Sequence, residues 1–204
     1  MSPITPLPLL ELSDLDGRTP DALFERSAPI ELEIGCGRGD FLTTYAPTRP
    51  AVNFIGVERN LPILRRAANK MRPWTHGNVR LVHTEIVHLL ADWFPNGSLV
   101  AAHVYFPDPW PKKRHARRRF VTGENVQRLE RVLRPGGMLH LRTDHERYFA
   151  DMLEVMASHP RFVGCETPVE LLPHKTGFEM RFTLRGLPLY HRTYCLQASP
   201  AENG

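Results

Sequence analysis

A single carboxylate in this chain is boxed by prolines, with cations directly behind it. In VYFPDPWPKKRHARRR (residues 104–119) an apolar run ends at Asp108, which lies between Pro107 and Pro109. Six of the eight residues from Lys112 to Arg119 are lysine or arginine. The prolines remove backbone freedom, so Asp108 is positioned before any ligand arrives. The cations suit a polyanion. By itself such a run is as often a solvated face, but its place directly behind the boxed acid favours the polyanion.

A second group lies in ELEIGCGRGD (31–40), where a strand-like stretch runs into Gly35, Gly37 and Gly39 and then into a helix-like one. Glycines here let the chain turn sharply and let a ligand approach the backbone. A dinucleotide fingerprint would place its third glycine at position 40, which is Asp40. With Glu33 before the loop and Asp40 after it, a pyrophosphate would be repelled, whereas an ammonium or sulfonium would be attracted. S-adenosyl-L-methionine therefore fits better than NAD. Glu58, ending the next strand, is placed for a ribose diol, and Glu85, after the third strand, for an adenine amino group. Acids are also favoured at helix starts, which is the plainer reading of Glu58 and Glu85.

These groups need a scaffold that brings strand ends to one edge. Apolar runs at 30–34, 53–57, 79–83, 99–106 and 138–142 alternate with helical patterns at 40–46, 61–71, 86–93, 122–133 and 146–158. That alternation predicts an α/β fold with a parallel sheet covered on both faces. RPGG (134–137) reads as a break between helix and strand. Near the end, Thr176 and Glu179 have capping-box spacing, Gly186 can stop the helix they begin, and 189–197 reads as a last strand. Residues 1–28 read as an irregular lead-in, 29–197 as the domain, and 198–204 as a tail.

Composition narrows the classes. The chain has 204 residues, 42% apolar, enough for one domain with a buried core. Lysine plus arginine exceed acids 26 to 22, so the location of positive charge matters more than its total. Cys36, Cys165 and Cys195 form no pair motif, and the histidines form no metal signature; a reducing compartment and no metal are expected. The first residues lack a basic stretch and are broken by Pro3, Pro6 and Pro8, which argues against a signal peptide and makes the cytoplasm the default. Monomer and dimer are equally open.

The whole run FPDPWPKKRHARRRFV resembles the hallmark of bacterial tRNA (guanine-N7)-methyltransferases. LEIGCGRGDFL, FIGVERN, LRPGGMLHLRTDHERY and KTGFEMRF extend the resemblance, in order, across roughly residues 30–197. It implies a Rossmann-like class I methyltransferase with a mostly parallel seven-stranded sheet. The implied activity is methyl transfer from S-adenosyl-L-methionine to N7 of a variable-loop guanine in tRNA. Glu33, Glu58, Glu85 and Asp108 match cofactor-contacting positions. Lys112 and Asp144 match substrate-binding ones, and Thr176, Gly177, Phe178 and Glu179 match a TKFE-like substrate motif. Arg114 and Arg118, in the same cationic run, are grouped with the substrate contacts. Asp108 and Asp144 are the candidate catalytic acids. Two departures stand out: Glu85 where Asp or Asn is usual, and Gly177 where lysine is common. The other readings are an inactive RNA-binding protein on the same fold and a methyltransferase acting on small molecules.

Overall fold

The computed structural model describes residues 8–72 and 77–199; the first seven residues of the lead-in and the end of the tail lie outside the described residues. The strands are β1 (Leu9–Glu11), β2 (Ile30–Ile34), β3 (Asn53–Glu58), β4 (Val79–His83), β5 (Leu99–Tyr105), β6 (Leu133–Thr143), β7 (Phe162–Cys165) and β8 (Tyr190–Leu196). They form one sheet in the order β1-β4-β3-β2-β5-β6-β8-β7. Only β8 runs against its neighbours, β6 and β7. The reversal of direction from β2 outward on both sides leaves a crevice at the carboxyl edge, where ligands of such sheets bind.

Helices α1 (Asp40–Tyr45) and α2 (Leu61–Met71) cover one face, and α3 (Ile86–His88, continued as a wider turn to Trp93), α4 (Gly123–Val132) and α5 (Glu146–Ala157) cover the other. A short helix, α6 (Gly177–Leu184), precedes β8. Alternation along the strands divides the core in two. Leu32, Ile55, Val82 and Val104 pack with Leu129 and Tyr148 on one side. Phe54 and Leu81 pack with Phe41, Leu42 and Leu64 on the other.

The sheet has eight strands rather than the seven expected. The extra one comes from the lead-in, where Leu9, Leu10 and Glu11 pair in parallel with Leu81, Val82 and His83. Three residues are too few to show a period of two, so the strand is silent in the sequence. Leu15 and Leu23, also in the lead-in, are each 3% exposed and belong to the core. RPGG is not a clean break either. Leu133 already pairs with Leu99, and pairing resumes at Met138 with Ala101, so the four residues form a bulge inside β6.

Candidate active site

The sheet order places the ends of β4, β3, β2, β5 and β6 side by side, and with them Glu85, Glu58, Glu33, Asp108 and Asp144. Glu33 is the deepest, 3% exposed, and its Oε2 has no hydrogen-bond partner among the described residues. Burial, and after it the negative charge of Asp40, raises its pKa well above the usual carboxylate range; Arg142 opposes and Glu58 adds to the rise. A buried carboxyl oxygen without a protein partner is open to a donor from a ligand or from water. That observation fits S-adenosyl-L-methionine, which carries both an ammonium and a sulfonium.

The loop after β2 is tied to the end of β3. Gly35 N and Cys36 N donate to Val57 O at 2.8 and 3.0 Å, and Gly37 N donates to Glu58 Oε2 at 3.3 Å. Asn60 N donates to Glu58 Oε1 at 2.8 Å, so backbone amides fix both oxygens of this acid. Gly35, Gly37 and Gly39 all take positive φ, at 71°, 53° and 65°, a conformation only glycine adopts without strain.

Asp108 is held differently. Its side chain is 69% exposed, and Arg59 Nη2 lies 3.5 Å from Oδ2. The same guanidinium reaches Glu85, also exposed, at 3.8 Å. Arg59, which sequence reasoning passed over, thus joins the acids after β4 and β5; its adjacency to Glu58 in VERN was the available signal. The box itself is fixed by backbone conformation. Phe106 and Trp110, on either side of PDP, take φ of 51° and 41°. For bulky side chains this costs on the order of 1–3 kcal/mol each and collects at functional sites. Phe106 N donates to Arg142 O at 2.8 Å, and Arg119 donates to Pro109 O at 2.7 Å and to Trp110 O at 3.3 Å.

Arg119 therefore differs from the rest of the cationic run. Only 11% of its side chain is exposed, and it is ion-paired with Asp151 and seated over the Tyr148 ring. It braces the box. Lys112, Arg114 and Arg118 are exposed, with Arg118 lying over the Trp110 ring at 4.9 Å. Asp144 follows β6, half-buried, with no ion-pair partner among the described residues.

The TGFE segment joins the site from the other side. Thr176 Oγ1 accepts from Glu179 N at 3.1 Å and caps α6. The Glu179 carboxylate does not return to close the box; Arg142 Nη1 donates to it at 2.9 Å. Arg142, 6% exposed in β6, also donates to His174 O at 2.8 Å and Leu171 O at 3.2 Å and lies over the Tyr105 ring. Glu179 is thus committed to the scaffold through one oxygen. Gly186, at φ 64°, ends α6, with its own N–H and that of Leu187 bonded back to Thr183 and Phe182. At Gly177 a Cβ would meet the Asp40 carboxylate, which is ion-paired with Lys70. A side chain at position 177 would have to displace that carboxylate, and a cation at this corner comes from α2. Phe178 is 52% exposed. Between Phe106, Arg142, Glu179 and Tyr190, beside the end of β6, a cavity of about 200 Å³ opens.

Among the described residues no cluster of three or more His, Cys, Asp or Glu could hold a metal, and no helix is long and apolar enough to cross a membrane. His145, near the site, caps α5 by accepting from Tyr148 N at 3.2 Å.

A family model described as "Putative methyltransferase" matches residues 27–191. The tRNA (guanine-N(7)-)-methyltransferase of Alkalilimnicola ehrlichii is 37% identical, covering 90% of this chain and 77% of its own. That of Saccharophagus degradans is 38% identical, covering 79% and 73%. Among solved structures, the 16S rRNA methyltransferase KamB superposes with a TM-score of 0.61 at 14% identity, over 87% of this chain and 91% of that one, a likeness of fold.

Proposed function

Because this chain belongs to the tRNA (guanine-N(7)-)-methyltransferase family, we propose that its carboxyl edge transfers a methyl group from S-adenosyl-L-methionine to N7 of a variable-loop guanine in tRNA. The observation that carries this reading is the row of acids, one per strand end, with exposed arginines beyond the boxed one.

When bound, the cofactor supplies an electrophilic methyl group on a sulfonium. Glu33 and the glycine loop would hold its cationic end, Glu58 would accept from its ribose hydroxyls, and Glu85 would accept from its adenine amino group. Guanine N7 has a free lone pair at neutral pH, so the protein need not remove a proton before attack. Its work is alignment and electrostatics. Methylation at N7 would leave the guanine ring positively charged and its N1–H and N2–H more acidic. A carboxylate accepting from that edge binds the transition state more tightly than the ground state. Asp144 takes this role, with Asp108 shared between cofactor and base.

N7 of a paired guanine faces the deep, narrow major groove of A-form RNA, so the target must be unstacked or in a loop. Lys112, Arg114 and Arg118 hold its phosphates. With about three such contacts, log K for tRNA falls against log salt with a slope of roughly −2 to −3; nitrocellulose filter binding across a salt series measures it, and a flat line would refute phosphate holding.

The activity is tested with labelled methyl donor and tRNA lacking 7-methylguanine, followed by borohydride and aniline cleavage. Incorporation with one cut in the variable loop is expected. Tight binding of both ligands without incorporation would leave an RNA-binding protein, and incorporation into small molecules alone would identify a different enzyme.

A further inference from the structure

The boxed acid has an aromatic side chain at each end, and each end leads to an arginine laid on an aromatic ring. At one end Arg118 Cζ lies 4.9 Å from the Trp110 centroid, with His115 edge-on to the same ring at 5.7 Å. At the other, Phe106 contacts Phe178 and Phe182 of α6 at 6.4 and 5.8 Å, and Arg181 Cζ lies 4.6 Å over Phe178. The two residues that begin and end this layout, Phe106 and Trp110, are the two non-glycine residues at positive φ among those described. Their backbone strain thus falls on the two aromatic residues that carry these ring contacts.

Three features argue against plain packing. Phe178 is 52% exposed, and Met180 and Leu184 on the same short helix are 46% and 87% exposed, so α6 turns apolar surface outward. Neither Arg118 nor Arg181 is ion-paired with a carboxylate among the described residues; Arg181 Nε donates to Gly177 O at 3.2 Å, which steadies its guanidinium beside the ring. A guanidinium whose one face rests on a ring offers its other flat face to solvent, and that face stacks on nucleobases while its edge meets phosphate.

We propose that Arg118 on Trp110 and Arg181 on Phe178 are two stacking plates that receive unpaired bases flanking the target guanine once it is drawn out of its stack. The proposal rests on the tRNA methyltransferase reading and adds a mode of recognition to it. The arginines act as flat surfaces and not only as charges. Two plates astride Asp108 replace the stacking that the flanking bases lose when the guanine leaves them, and they hold the loop open at the reaction centre.

Arginine-to-lysine exchange separates the two roles, because lysine keeps the charge and loses the plane. Binding of end-labelled tRNA lacking 7-methylguanine is measured by fluorescence anisotropy at several salt concentrations. The variants are Arg118→Lys with Arg181→Lys, the corresponding double alanine, and Phe178→Leu. S-adenosyl-L-homocysteine binding by calorimetry reports the intact fold in each. The proposal predicts that the double lysine variant binds tRNA about ten-fold more weakly with an unchanged salt slope, and that Phe178→Leu, still apolar, is also weakened. It is overturned if the double lysine variant binds like wild type while the double alanine variant loses affinity with a slope shallower by about 1.4, the mark of two phosphate contacts. It is likewise overturned if Phe178→Leu has no effect, since an apolar docking face would tolerate leucine. Failure of the parent reading shows separately, as wild-type protein that does not methylate tRNA.

Discussion

Glu33, near the end of β2, and Asp108, after the neighbouring β5, share one edge of the sheet, yet one is 3% exposed and the other keeps 69% of its side chain in solvent. Glu33 is fixed by burial, and its Oε2 has no hydrogen-bond partner among the described residues. Asp108 is fixed by two prolines and two strained neighbours, with little around it but Arg59. The first arrangement offers a buried oxygen to a donor or cation. The second leaves an acid open to water, within reach of Arg59. We propose that the same edge separates holding the donor, at Glu33, from stabilising the transfer, at Asp144.

The largest expected effect strikes where the two halves meet. Arg142→Leu removes the partner of Glu179 and the anchor of residues 171–174. An uncompensated buried carboxylate costs about 3–5 kcal/mol, so denaturant unfolding should show a loss of that size, and an unchanged midpoint would mean that α6 is held otherwise.

Glu33→Gln sharpens the comparison with an intermediate effect. The folded chain keeps the Glu33 proton to higher pH than the unfolded chain, whose glutamate titrates near pH ~4.3. Through the window from there up to the raised pKa the folded state binds more protons, so stability falls as pH rises. Removing the charge should make the variant more stable than wild type at pH 7, with the gain shrinking as pH falls and the two curves converging near pH ~4. Thermal melts across pH check this; a variant less stable at neutral pH would show that the carboxylate is satisfied after all. The smallest effect belongs to the cap. Thr176→Ala should cost about 1 kcal/mol of stability, measurable in urea, and a neutral result would assign the start of α6 to its contact with Asp40.

Much of this division was legible in the sequence, and the exceptions are instructive. IELEI, VRLVH and the helix at 61–71 were readable because local pattern and buried face agree. The glycine loop and the proline box announced themselves by residue type. What stayed hidden was tertiary. Glu179 reads in the sequence as a substrate contact; that one of its oxygens also pairs with Arg142, 37 positions away, shows only through the sheet. Arg119 looked like one more phosphate-binding cation, and only the fold shows it bracing the box. A polar row also crosses the buried face of the sheet, where His103 sits 2.9 Å from Glu31 and stacks on His140. In HVYF and LHLRT these histidines read as isolated residues in apolar strands, because strand neighbours are not sequence neighbours. Gly177 reads as the loss of a cation; the fold adds that it lies against Asp40, which is ion-paired with Lys70 of another helix.

The division of labour is tested most directly by comparing Asp144→Asn with Glu33→Gln, measuring single-turnover methyl transfer to tRNA at saturating donor alongside S-adenosyl-L-homocysteine affinity. The account predicts that Asp144→Asn lowers the rate by roughly 10²-fold or more with cofactor affinity nearly intact, while Glu33→Gln weakens cofactor binding and leaves most of the saturated rate. Equal losses of rate and affinity in both variants would contradict it.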